Sequence, residues 1–197
     1  MALAWVAFYI HRSGWIIGLA LLLTALTVFV GFFFRDPDRI PPNVEKAVVS
    51  PADGKVVEIV KQDDPNVGPN AQRISVFLSA FNVHVNRIPV SGVVTDVRYV
   101  PGKFLAAYDD KASLDNEQTY ISVDTPHGPM AFKQIAGIVA RRIVCRLEPG
   151  QRVTTGERFG LIRFGSRMDV IIPDGAKISA AIGDRVSAGE TILGVMP

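Results

Sequence analysis

Hydrophobic positions along the chain fall into two regimes. From Trp15 to Phe34, twenty consecutive residues carry no charge. In a helix rising ~1.5 Å per residue such a run covers the ~30 Å of a bilayer's hydrocarbon core, so the pattern predicts one membrane-spanning helix. A shorter apolar stretch, Ala2 to Ile10, is too brief to cross alone, and His11-Arg12-Ser13-Gly14 separates it from the longer run. It reads as an interfacial or re-entrant lead-in. The long run exceeds the ~7 to 15 residues of a signal-peptide core and no small-x-small cleavage site precedes Arg35, so an uncleaved anchor is expected. Beyond Phe34, the prolines of Arg35-Asp36-Pro37-Asp38-Arg39-Ile40-Pro41-Pro42 stop the helix. The expected organisation is an anchor over 1–34, a linker over 35–43 and a single domain over 44–197.

In that domain the pattern changes to short β-branched runs punctuated by Gly, Pro, Asn and Asp: Lys55 to Val60, Ile74 to Leu78, Gly92 to Val100, Tyr120 to Val123 and Gly137 to Cys145. Only Lys103 to Ala112 reads as a soluble helix, so the fold class is mainly β, or α+β, behind an N-terminal transmembrane helix. One internal repeat refines this. Gly150-x-x-Val153-x-x-Gly156-Glu157 recurs 33 residues later as Gly183-x-x-Val186-x-x-Gly189-Glu190. Each copy predicts strand, turn, strand, with the glycines at positive φ and the valine inward, similar to the hairpin units of lipoyl-type barrel-sandwich domains. No lysine occupies a carrier position at either turn, so this likeness concerns architecture alone.

Charge narrows the function classes. The net charge is +2, and Arg12 is the sole charged residue before Arg35, which leaves 20 basic and 19 acidic residues for the rest. A nearly neutral body lacks the basic face that profits from counterion release, so nucleic acid is not an expected partner. Arg12 precedes the span while Arg35, Arg39 and Lys46 follow it. That slight excess predicts a body on the cytoplasmic side of the inner (cell) membrane. Cys145 is the only cysteine and stands beside Ile143 and Val144. An inert core thiol is expected, with no disulfide and no metal site.

Three segments carry the candidate chemistry: Val49-Ser50-Pro51-Ala52-Asp53-Gly54-Lys55-Val56, the run Phe77 to Gly92 containing Asn82-Val83-His84-Val85-Asn86-Arg87, and Arg163-Phe164-Gly165-Ser166-Arg167-Met168-Asp169-Val170-Ile171. Taken singly each has a bland explanation. Gly-Ser and Asp-Gly are ordinary turn dipeptides, and a lone histidine in a β-rich segment is usually structural. In this order and at these separations, however, they resemble the phosphatidylserine decarboxylase family, in particular its short bacterial and archaeal-type, pyruvoyl-dependent members. The resemblance covers most of residues 35 to 197.

It implies that the precursor cuts its own backbone between Gly165 and Ser166, giving a membrane-associated β chain, 1–165, and a small α chain, 166–197. A serine hydroxyl needs a base before it can attack the preceding carbonyl, and His84 is the candidate. Gly165 permits a strained turn and leaves that carbonyl unshielded. The resulting ester would eliminate to dehydroalanine and hydrolyse, so that Ser166 becomes a covalent pyruvoyl cofactor. Its ketone would form a Schiff base with the amine of a serine-headed phospholipid and act as the electron sink for loss of CO2. The resemblance also makes Asp53 the carboxylate that orients His84. Longer members carry a second histidine three residues after the first, where this chain has Arg87. His84 therefore serves both steps or shares them. Arg87 and Asn86 are candidates for the phosphate or carboxylate of the head group, and Asn116 and Glu117 for the pocket border. The expected partners are a phospholipid, the membrane and the two chains of one precursor, and a homo-oligomer is compatible with the sequence. The runner-up readings are a non-enzymatic, membrane-tethered lipoyl-like β module and a decarboxylase of ether-linked, archaeal-type serine lipids. A serine hydrolase is disfavoured, since the G-x-S-x-G elbow is missing.

Overall fold

The computed structural model describes residues 1–107, 112–138, 142–162 and 165–197, and it separates into two compact units, Met1–Arg35 and Asp36–Pro197. The first is one continuous helix, α1 (Ala2–Phe33). Its stretch Gly14–Phe33, 20 residues of mean hydropathy 2.6, is long and apolar enough to cross a membrane. The helix runs on through His11-Arg12-Ser13-Gly14, which separate the two apolar stretches. None of these residues is proline, a helical glycine costs only ~1 kcal/mol, and the Trp15 indole N–H donates to His11 Nε2 at 3.0 Å one turn back.

The second unit is built from β1 (Ala47–Val49), β2 (Gly54–Asp64), β3 (Gly68–Leu78), β4 (Val85–Arg87), β5 (Gly92–Val100), α2 (Ala112–Asp115), β6 (Gln118–Thr125) and β7 (Gly128–Ile135). It continues through β8 (Ile143–Cys145), β9 (Arg152–Val153), β10 (Arg158–Ile162), β11 (Ser166–Ile172), β12 (Lys177–Ile178), β13 (Arg185–Val186) and β14 (Ile192–Val195). The mainly β expectation holds. An eight-stranded sheet runs β13-β2-β3-β11-β7-β6-β5-β9, beside two three-stranded sheets, β1-β14-β12 and β4-β10-β8. Alternating residues of the large sheet, among them Val56, Ile74, Val76, Phe132, Met168 and Val170, form one core with Phe159 of β10. The Phe132 and Phe159 rings meet edge to face at 5.2 Å, and each fully buried side chain of this size contributes ~1.5–3 kcal/mol.

Of the expected helix over 103–112, residues 108–111 lie outside the described residues and 103–107 are not helical. Asn116 explains why. Its side chain accepts from the Leu105 N–H at 2.9 Å and donates to the Leu105 carbonyl at 2.9 Å, holding that segment extended. The strand expected over Gly137 to Cys145 is present only as β8, while 139–141 lie outside the described residues.

Both repeat copies are arches whose two strands join different sheets, and all four glycines have positive φ: Gly150 at 89°, Gly156 at 82°, Gly183 at 102° and Gly189 at 75°. Their partners repeat too. Gly150 and Gly156 N–H groups donate to Val94 and Ile88 carbonyls, and those of Gly183 and Gly189 donate to Val56 and Ser50 carbonyls. The duplication therefore extends to Ser50–Val56 and Ile88–Val94, which pairs Asp53 with Ser91. The matching is literal, since Ser91 Oγ accepts from the Thr155 N–H at 2.9 Å and Asp53 Oδ1 from the Ala188 N–H at 2.8 Å.

The outer face of β2, β3 and β11 holds buried charge. Arg167 and Asp169 are both 0 % exposed. Arg167 Nε donates to Asp169 Oδ1 at 2.9 Å, and its Nη2 to Ser75 Oγ at 2.6 Å and to Glu58, which also pairs with Arg73 at 3.0 Å. A buried carboxylate deprived of its partner is costly, ~3–5 kcal/mol. Arg167→Met is accordingly expected to lower the thermal unfolding midpoint of the purified protein by roughly 10 °C, at ~2–4 °C per kcal/mol for a domain of this size. Lys61→Ala removes only an exposed pair with Asp174 and should shift it by ~2 °C or less. Equal shifts in calorimetry would contradict this assignment of the buried network.

Candidate active site

β11 opens at Ser166, which is 0 % exposed and lies opposite Leu78 of β3. Its Oγ has no hydrogen-bond partner among the described residues, which is uncommon for a buried hydroxyl. The residue before it, Gly165, has φ +62°, a conformation in which L side chains are strained, although a Cβ there would meet nothing within 4 Å among the described residues. The strand thus begins with a kinked peptide followed at once by a buried hydroxyl without a described partner. Arg163 and Phe164 of the motif lie outside the described residues.

His84 is 3 % exposed and immediately precedes β4. It is reached from Leu78, the cross-strand neighbour of Ser166, through a tight turn. There Ser79 N–H and Oγ both bond Asn82 Oδ1, at 2.9 and 2.7 Å, and the Asn82 N–H returns to the Ser79 carbonyl at 3.1 Å. Two residues on, buried Asn86 accepts from Gln134 Nε2 at 2.9 Å. Gln134 lies opposite Met168 in the β7–β11 register, so by strand alternation it faces the same side as Ser166. Asn86 Nδ2 and Gln134 Oε1 are buried and have no partner among the described residues. The inner end of β11 therefore has polar groups available to a small polar ligand. Gln134 was not singled out from the sequence, and its one signal is a polar residue at an inward position between Phe132 and Ala136.

The other candidates hold the scaffold. Asp53 sits in the turn before β2, where Arg39 Nη2 donates to Oδ2 at 3.1 Å and the Ala188 N–H to Oδ1 at 2.8 Å. A contact with the imidazole is not among its described bonds. Its loop does carry the histidine's strand, since the Arg87 N–H donates to the Pro51 carbonyl at 2.9 Å. Arg87 is 4 % exposed and commits its guanidinium to the Gly156 carbonyl at 2.9 Å, the Pro37 carbonyl at 2.8 Å and Asp36 at 3.2 Å. A Cβ on Gly189 would lie 2.9 Å from Arg87 Cδ and 3.5 Å from Gly156 Cα, which places Arg87 as the tie between the two repeat turns. Three described bonds of the Arg87 guanidinium thus go to the repeats and the linker. Asn116, besides holding Leu105, donates to the Ala136 carbonyl at 2.8 Å, and the Glu117 carbonyl accepts from the Ala136 N–H at 2.9 Å. Both brace the segment after β7 through buried bonds. Burial raises the Cys145 thiol pKa above its ordinary value, in keeping with an inert packing residue.

The arrangement suits attack by a shielded hydroxyl on its own preceding peptide. Residues 26–194 match the family described as phosphatidylserine decarboxylase. A phosphatidylserine decarboxylase proenzyme of Geobacter sulfurreducens is 49% identical over 181 residues, 91% of this chain and 83% of that protein. One from Chlorobaculum tepidum is 47% identical over 188 residues, 95% of this chain and 87% of its own length. A third, from Chlorobium chlorochromatii, is 49% identical over 180 residues, covering 91% and 84%. With a family match across most of its length and relatives close to half identical, the chain belongs to the phosphatidylserine decarboxylase family of enzymes.

Proposed function

We propose that the chain is a proenzyme that cuts itself between Gly165 and Ser166 and, once matured, converts phosphatidylserine to phosphatidylethanolamine and CO2. The observation that carries this is Ser166 Oγ, fully buried and without a described partner, directly behind a left-handed Gly165. Membership of an enzyme family sets aside the tethered β module.

In the first stage His84 takes the Ser166 hydroxyl proton and Oγ adds to the Gly165 carbonyl carbon. The C–N bond breaks, the nitrogen takes up a proton, and the peptide becomes an ester. Loss of the Ser166 Cα proton with the Gly165 carboxylate as leaving group gives dehydroalanine, and its hydrolysis releases ammonia. The residue left at the head of β11 is a pyruvoyl group, which supplies a carbonyl that condenses with the substrate amine and draws electrons from the carbon losing CO2. The site fits such a group, because Ser166 is enclosed on an inner strand and polar groups of Asn86 and Gln134 face the same interior. In the second stage Asn86 and Gln134 hold the head group, and His84 returns a proton to the product carbon. Asp53 supports His84 through the loop that carries β4. The helix Gly14–Phe33 anchors the body, on the cytoplasmic side, beside its lipid substrate.

Intact-mass analysis of the purified protein tests the reading. Two chains are expected, one ending at Gly165 and one spanning 166–197, the latter lighter by one ammonia than a fragment beginning with serine. Incubation with phosphatidylserine and cyanoborohydride should add the lipid to the small fragment alone. An active, full-length single chain with unmodified Ser166 would overturn it. Diacyl and ether-linked serine lipids share the head group that this chemistry recognises, and parallel assays of the two would rank them.

A further inference from the structure

Continuing the β7–β11 register past the Arg167–Ile135 pair sets Gly165 opposite Gly137, where the regular ladder has ended. The contact across that gap is close. A Cβ built on Gly137 would lie 2.2 Å from the Gly165 carbonyl oxygen and 3.3 Å from its carbonyl carbon, and real Cβ atoms do not approach within 3.0 Å of another heavy atom. The carbonyl of the bond to be cut thus rests directly on the bare Cα of Gly137. Gly137 is itself held from both sides. Asn116 and Glu117 bond the main chain of Ala136, and the Ala107 methyl lies 3.2 Å from where the Cβ would be.

We propose that Gly137 is a positioning residue for self-cleavage: its missing side chain forms the seat that fixes the Gly165 carbonyl for attack by Ser166 Oγ. This rests on the self-cleavage reading above. Attack turns the planar carbonyl into a tetrahedral centre bearing an oxyanion, and the Ser166 proton leaves for the base. A misplacement of that carbonyl by about 1 Å spoils the approach of Oγ and costs ~10²-fold. A methyl group on Gly137, 2.2 Å from the oxygen where contacts stay beyond 3.0 Å, forces a movement of that order. By contrast a methyl on Gly165, the residue at the cut itself, meets nothing within 4 Å among the described residues and carries the strain of its left-handed φ, ~1 kcal/mol.

The unusual consequence is an order of effects. In full-length protein synthesised in a cell-free system with nanodiscs, Gly137→Ala is expected to slow cleavage at least 100-fold, and Gly165→Ala about tenfold or less. Gly92→Ala is the steric control. Its Cβ would strike the Asp124 carbonyl oxygen at 2.4 Å, an equally severe clash in another part of the sheet, and the folded fraction should still cleave at the wild-type rate. Hydroxylamine, which cuts esters, should release no fragments from Gly137→Ala, because the seat acts before the acyl shift. If Gly137→Ala does not fold, Ala107→Val crowds the same seat from its other side and should slow cleavage at least tenfold with little change in melting temperature. The proposal is overturned if Gly165→Ala is the more damaging change, if ester accumulates in Gly137→Ala, or if the folded seat variants cleave at the wild-type rate. An uncut wild-type chain would instead overturn the self-cleavage reading itself.

Discussion

Ser166→Ala is expected to yield one uncut chain of 21.4 kDa with no measurable decarboxylation. The variant loses the nucleophile of maturation and the precursor of the reactive carbonyl in one change, so no residual pathway is open to it. The fall in activity should reach the assay floor, beyond the ~10⁴-fold of losing a single catalytic group. Folding should not suffer. Ser166 Oγ is buried and has no described partner, and an unmet buried hydroxyl costs ~1–3 kcal/mol. The double variant His84→Ala/Ser166→Ala should therefore melt slightly above His84→Ala, both being uncut. Ser166→Cys keeps a nucleophile and should cut slowly through a thioester. Electrophoresis, intact mass and CO2 release read all of these, and cleavage of Ser166→Ala at the same bond would sink the assignment.

His84→Ala should also accumulate as precursor, its cleavage slowed ~10²–10⁴-fold by loss of the base. The distinguishing measurement is chemical rescue, because free imidazole should restore part of the rate if the ring's function is proton transfer and none of it if the ring is only packing. Asp53→Asn should do less harm. The amide still accepts from the Ala188 N–H and gives up only the ion pair with Arg39, so we expect a several-fold slower cleavage with an unchanged pH midpoint. A midpoint displaced by a full unit would show direct carboxylate–imidazole coupling in its place.

What the chain disclosed before folding follows from the range of the forces involved. The apolar run ending at Phe34 and the glycines at 150, 156, 183 and 189 express local requirements, a bilayer's thickness and positive φ, and both are readable from neighbouring residues. The helix continues past His11 because nothing there removes a backbone hydrogen bond. β11 was concealed for a different reason: Arg167 and Asp169 make it resemble a surface segment, and the groups that neutralise them, Glu58 and Arg73, lie on β2 and β3. Gly165 and Ser166 stood out only through a resemblance, since Gly-Ser by itself is a turn. Gly137 was not legible at all. Its significance is a contact with a carbonyl 28 positions away, which no local pattern encodes. Arg87 and Asn116 are candidates by residue type and resemblance, while their bonds to Gly156, Pro37, Leu105 and Ala136 reach residues that no local pattern connects to them.

β11 lies between β3 and β7, and β14 lies between β1 and β12. If the chain is cut before Ser166 as proposed, the small fragment is woven through the large one, and the two cannot part without melting the sheet. A molecule whose ester is hydrolysed by stray water before elimination would keep a plain serine at that position, and no exchange of fragments with a neighbour could repair it. Maturation is then a one-time commitment made separately by every copy, and the yield of working enzyme is set by how well the interior keeps water from that bond during a single event.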